Sequence, residues 1–268
     1  MSFSRIYAIF LRQLFLLKGN PSRLANIFVW LLVDIIQWGF ISKYLESLGQ
    51  ATFGFITVIL GAIILWEFVT RIQQGIMTGF LEDIWSNNFI NFFASPLKIG
   101  EYLIGLILNS IIYSLVGFMI LIFIAGAFFG YNFFLAGLML LPFLAILFVF
   151  GTAMGILVSA IIFRLGPSAE WLSWPIPMVL SVFAGVFYPV STLPQVMQII
   201  SKAIPASYVF EGFRGIMSTT GFSTNLTLDM LLGGLLALLY LLAAYKIFIS
   251  VYRQNLKTGA IARFNAEF

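Results

Sequence analysis

An all-α integral membrane fold with six transmembrane helices follows from three features of the sequence. These are its scarcity of charge, the length of its apolar runs and the sidedness of its lysines and arginines. Of 268 residues, 61% are hydrophobic and 9% are charged, and the mean hydropathy is +1.05. A soluble domain carries about 25% charged residues because its surface faces water. Most of this surface therefore faces lipid. No residue from Tyr102 to Phe163 is charged, a run too long for one crossing and suited to two.

Each crossing needs about 20 largely apolar residues. Before the first, Phe3, Ile6, Tyr7, Phe10, Leu14 and Leu17 recur at three- and four-residue steps, with Arg5, Arg12 and Lys18 between them. That pattern predicts an amphipathic helix lying in the cytoplasmic interface over 1–22, cut from the next helix by Asn20-Pro21. The first 23 residues lack a continuous apolar core, so no cleavable signal peptide is expected. The first span is expected from about Leu24 to Leu45, interrupted by Asp34, and the second from Ala51 to Ile72, with Glu67 and Arg71 inside it. The polar stretch Gln73 to Glu101 follows, then two spans turning near Gly130-Tyr131-Asn132. A fifth run starts at Trp171 and is cut by Pro175, Pro177, Pro189 and Pro194; the last runs from Leu226 to Ile249. The membrane domain thus covers 23–251, and 252–268 form a cytoplasmic tail.

Cytoplasmic loops carry the excess of Lys and Arg. With the N-terminus inside, the outer segments hold only Lys43, Lys202 and Arg214, and the remaining basic residues fall on inner segments. Both termini are expected in the cytoplasm, and the net charge of +4 reads as orientation in a cytoplasmic (inner) membrane, not as nucleic-acid binding. The chain has no His and no Cys. That excludes a Ser-His-Asp triad, a cysteine nucleophile, an ordinary zinc site and any disulfide. No metal site and no catalytic residue are expected. The phosphate-binding signature GxxxxGK[ST] is missing too, so energy for pumping would come from a separate ATPase or an ion gradient.

Three groups of residues are candidates for function. Between the second and third spans, Ile84, Trp85, Asn88, Phe89 and Phe92 fall at helical spacing, with Glu82 and Asp83 where a helix N-terminus favours acids and Ser95-Pro96 as its stop. A short cytoplasmic helix of this kind suits either docking of a partner or packing on lipid headgroups. The segment holding Tyr188, Pro189, Pro194, Pro205, Glu211 and Arg214 cannot be one continuous helix, yet Val196 to Ala203 stays apolar. Non-helical backbone at membrane depth needs enclosing protein or a water-filled cavity, so an extracytoplasmic re-entrant segment before the last span is expected. The third group comprises the intramembrane charges Asp34, Glu67 and Arg71; Glu67 and Arg71 at i and i+4 suit an intrahelical ion pair near the headgroups, or a polar contact on a transport route. The pairs Gly75/Gly79, Gly126/Gly130 and Gly151/Gly155 permit close helix approach, read as packing within the chain.

The order of these features resembles the membrane subunit of ABC-2 type exporters over nearly the whole chain. The best-matched stretches are Ala94-Ser95-Pro96-Leu97 after the short helix and the run from Phe187 through Pro194 to Pro205 and Arg214. The resemblance implies a homodimer docked on a cytoplasmic ABC ATPase that binds ATP and Mg, with Glu82 to Phe92 as the coupling contact and this chain binding no cofactor. It implies export of an amphipathic substrate: a lipid-linked glycan, a lipid or a hydrophobic compound. The chain departs from family members that pump extracted lipoproteins, having no large extracytoplasmic insert. An ion-coupled secondary transporter is the alternative, and a membrane enzyme ranks third because no cluster of polar residues marks a site.

Overall fold

Helix length is the first thing the backbone reveals. The computed structural model describes residues 1–19, 21–49, 53–217 and 226–259, and among them helices and short connections account for the chain with no strand. In chain order the helices are α1 (Phe3–Gly19), α2 (Pro21–Ser47), α3 (Phe53–Trp85), α4 (Asn88–Ala94) and α5 (Ile99–Phe129). They continue with α6 (Leu140–Leu165), α7 (Pro175–Ala184), α8 (Gln195–Lys202), α9 (Pro205–Met217) and α10 (Leu226–Thr258). Short 3₁₀ turns occupy Phe133–Met139, Pro167–Ser173 and Val190–Thr192. Among the described residues, Ile99–Phe129, Gly137–Leu165 and Leu226–Thr258 are long and apolar enough to cross a membrane.

The core is a bundle in which α6 packs on α3 and α10, and α3 packs on α5. Contacts fix the directions. Gly75 and Gly79 of α3 meet Ser110 and Leu106 of α5, so these two run antiparallel. Gly151 and Gly155 of α6 meet Val69 and Ile76 of α3, so those two run parallel. Helix α10 follows α6, with Gly233 beside Ile146 and Asn255 bonded to the Phe163 carbonyl. One end of the bundle therefore gathers Trp85, Lys98, Leu165 and Thr258.

The small residues do what close packing requires. A Cβ on Gly155 would lie 2.9 Å from Ile76 Cβ, and one on Gly75 would lie 2.9 Å from Ser110 Cβ. Both pairs, 75/79 and 151/155, are seams within the chain. The third pair differs: Gly130 takes φ 66° and caps α5, its N–H bonded to carbonyls of Ala125 and Gly126. The turn after it is where the sequence puts it.

One boundary is corrected. The second apolar run was expected to end at Ile72, but α3 continues to Trp85, 33 residues in all and about 50 Å at 1.5 Å per residue. Gln73 pairs with the Ser173 carbonyl at 3.0 Å, and Gly75 and Gly79 bind α5, so polar and small residues still have helical partners. Substituting Gly155→Val should lower the thermal midpoint of the detergent-solubilised protein, a loss of about 1–3 kcal/mol from overpacking. Gly234→Ala should not lower it, since the nearest atom is 3.9 Å away.

Candidate functional site

The end of the bundle that carries α4 is built around two buried carboxylates. Asp83, near the end of α3, has no solvent exposure; Arg12 of α1 pairs with it, and the Tyr102 hydroxyl of α5 donates to its Oδ2 at 2.7 Å. Glu101 on the first turn of α5 is equally buried. It accepts the amides of Ser2 at 2.7 Å and Lys98 at 3.0 Å, and lies 3.3 Å from Arg5. Arg5 also donates to the Pro96 carbonyl.

These contacts reset the reading of α1. Arg5, Ile9 and Arg12 stand four and three residues apart on one helical face, with Gln13 adjoining, and that face meets the bundle. Gly105 makes the seat, since a Cβ there would lie 2.5 Å from Ile9 Cγ2, and Gly79 faces Gln13. Phe3 and Tyr7 stay exposed, their rings stacked at 6.2 Å. The two arginines thus pair with carboxylates of α3 and α5. Their heptad spacing, matched to Asp83 and Glu101, was the signal available in the sequence.

The short helix expected over Glu82 to Phe92 is shorter than that. Glu82, Asp83, Ile84 and Trp85 form the last turn of α3, not the start of a separate helix. The chain reverses at Asn87, a non-glycine residue at φ 57°, and α4 covers Asn88–Ala94. Asn has a short polar side chain that tolerates this left-handed conformation. Ser95 ends α4, its hydroxyl donating to the Phe92 carbonyl at 2.8 Å. The corner has two sides. Trp85 (48% exposed), Ser86, Asn87 and Asn91 face outward, with Glu82 and Asn88 partly exposed. Ile84 and Phe89 are buried inward.

Phe89 ties α4 to the bundle. Its ring lies 5.2 Å from Phe80 of α3, 5.6 Å from Tyr102 of α5 and 5.4 Å from Phe163 of α6. Phe248 of α10 completes the cluster, 5.6 Å from Phe80 and 5.9 Å from Phe163. Phe92 stands 5.3 Å from Tyr102 and beneath the Arg12 guanidinium at 5.5 Å. Edge and tilted contacts of this kind suit the aromatic quadrupole. Single-sequence reading picks out Phe89 and Phe92 but cannot see Phe80, Phe163 and Phe248 converging from three other helices.

At the opposite end, α8 and α9 form a hairpin whose prolines stand at helix starts. Pro194 immediately precedes α8, Pro205 is the first residue of α9 and Pro189 precedes the Val190–Thr192 turn. Proline suits these places because its missing N–H would be unpaired there anyway. Glu211 of α9 accepts the Val190 amide at 2.7 Å and Arg214 at 2.9 Å. Arg214 also reaches the Val186 carbonyl at 3.5 Å, and Tyr188 donates to Val182 at 3.0 Å. The Glu211–Arg214 pair thus pins the loop after α7 onto α9.

The third group also assembles. Arg71 and Glu67 pair at 2.7 Å with side chains 8% and 12% exposed, and Arg71 donates to Gln74 at 3.0 Å. Asp34 of α2 lies within electrostatic reach of both. The Arg71 stem packs near Gly117 of α5, and its guanidinium is paired within α3 to Glu67 and Gln74. Among the described residues no group of His, Cys, Asp and Glu could hold a metal ion.

Apolar helices of spanning length, buried charges neutralised between helices and a proline-broken hairpin define a multi-pass helical membrane protein. A family model described as ABC-2 type transporter matches residues 4–218. The chain belongs to that family and is an ABC transporter permease. A comparison with curated proteins returned no match.

Asp83 is more buried than Arg12, so the two halves of the pair are not equivalent. Arg12→Ala should destabilise the protein by about 2–4 kcal/mol, because it strands a buried carboxylate. Arg12→Ala with Asp83→Asn should recover part of that loss. A double-mutant cycle on unfolding in detergent measures the coupling; additive losses would deny the pair.

Proposed function

We propose that this chain is the membrane subunit of an ATP-driven exporter, with six crossings, both termini in the cytoplasm of an inner membrane and a second copy of itself as partner. A cytoplasmic ABC ATPase docks on the outward side of the α3–α4 corner and supplies ATP and Mg, while the chain itself carries no ATPase. The supporting observation is the two-sided build of the α3–α4 corner. Its outer side offers Trp85, Asn87 and Asn91, and its inner side is joined through Phe89 to α3, α5 and α6. A push on α4 is thereby delivered to the bundle instead of being absorbed by a loose loop. Asp83 acts as an internal fastener here, and the docking role falls to the exposed residues and to Glu82. The directions of α3, α5, α6 and α10 fit a six-crossing arrangement, in which the α8–α9 hairpin closes the far end as an outer gate. An amphipathic substrate, such as a lipid-linked glycan, lipid or hydrophobic compound, fits a bundle this rich in aromatic residues.

The alternative, an ion-coupled transporter, is favoured by one observation: the Glu67–Arg71 pair is largely buried in the bundle, with Asp34 of α2 within electrostatic reach. Proton-driven uptake in ATPase-free vesicles, lost in Glu67→Gln, would support it over the exporter.

Two variants separate docking from transmission. Trp85→Ala with Asn91→Arg should abolish co-purification of an ABC ATPase while leaving the thermal midpoint unchanged; undiminished co-purification contradicts the docking assignment. Phe89→Leu should keep the ATPase bound yet uncouple its hydrolysis rate from substrate. Phe89→Ala should lose about 3–5 kcal/mol of stability as well.

A further inference from the structure

We propose that the hollow between the start of α5 and the last turns of α10 binds the phosphate-bearing headgroup of an anionic lipid. Its volume is about 950 Å³, at the upper end of the range for small-molecule sites, about 300–1,000 Å³. Four cations line it: Lys98 just before α5, and Lys246, Arg253 and Lys257 on α10. On α10 they share a face with Ser250, at steps of four, three and four residues.

Among the described residues no carboxylate lines the hollow, and none of the four cations has an ion-pair partner. The nearest acid in the sequence, Glu101, is fully occupied by Ser2, Lys98 and Arg5 contacts. Like charges on one helix face repel, so the arrangement calls for an anion. Basic residues that served only to set orientation would have no reason to converge from two elements on one cavity.

The walls distinguish a lipid from free phosphate. Ile99 and Ile249 supply apolar surface, and Tyr245 and Tyr252 combine an apolar ring with a polar tip. The cavity also lies where α10 passes from its apolar run, ending at Ile249, to Ser250 through Lys257. That is the level at which headgroups meet a spanning helix, and basic pockets between helices there take phosphorylated headgroups. A free phosphate would leave most of the volume and all of the apolar wall unused. The inference stands without the ATPase partner.

Native mass spectrometry of the full chain, purified in detergent with added cardiolipin or phosphatidylcholine, tests it. The chain should retain cardiolipin in preference to phosphatidylcholine. Removing each α10 cation (Lys246→Gln, Arg253→Gln, Lys257→Gln) should weaken retention by about fivefold, the attraction of one basic residue at an anionic surface. Ser250→Phe, which keeps every charge but fills the hollow, should weaken it too, whereas Lys43→Gln, outside the cavity, should not. Millimolar pyrophosphate should leave the lipid bound. Equal retention of both lipids, unchanged retention in Ser250→Phe with a normal size-exclusion profile, or displacement by pyrophosphate would each overturn the lipid assignment.

Discussion

A carboxylate without access to solvent must find partners among its neighbours, and Asp83 finds an ion pair on one side and a hydrogen bond on the other. Arg12 comes from the N-terminal helix and Tyr102 from the start of α5. Burying a lone charge is unfavourable by several kcal/mol, so this contact constrains three helices together. With Asp83 placed, the α3 end is fixed, Asn87 reverses the chain and Phe89 enters the space between Phe80, Tyr102 and Phe163. The geometry of the α4 corner descends from one side chain.

The second carboxylate works in the same way seven residues along α1. Glu101 binds Arg5 and the Ser2 amide, and the two contacts together hold α1 along α5 in the seat left by Gly105. Helix α1 thereby packs as part of the corner. At the other end, Glu211 and Arg214 play a comparable role by holding the loop after α7 to α9. Both ends of the bundle use charged side chains to hold a neighbouring segment in place.

The sequence carries the outline of this molecule because its outline is set by composition and periodicity. The uncharged run from Tyr102 to Phe163 and the glycine near 130 give α5, a turn and α6. Proline positions locate the starts of α8 and α9, and the spacing of Glu67 and Arg71 gives their ion pair. What escapes single-sequence reading is orientation about each helix axis. Arg12 and Arg5 look like a solvent face until Asp83 and Glu101 are placed opposite them. Asp83 looks like an acid at a helix start, yet it lies in the last turn of α3, and nothing local in the sequence marks Asn87 as the left-handed residue that separates α3 from α4. The ring of Phe80, Phe163 and Phe248 around Phe89 joins residues up to 168 positions apart, a relation no local pattern encodes.

The central claim is that α4 moves with α3 and α5 as one body. The absence of cysteine makes it directly measurable, since introduced cysteines are the only labelling sites. Spin labels at Ser95, the exposed residue that ends α4, and at Leu108 on α5 report that distance within one chain in reconstituted complexes with and without ATP. The account predicts an intrachain distance that stays constant while the distance between the two copies' Ser95 labels changes. A shift of α4 relative to α5 on ATP binding, with the copies fixed, would contradict it.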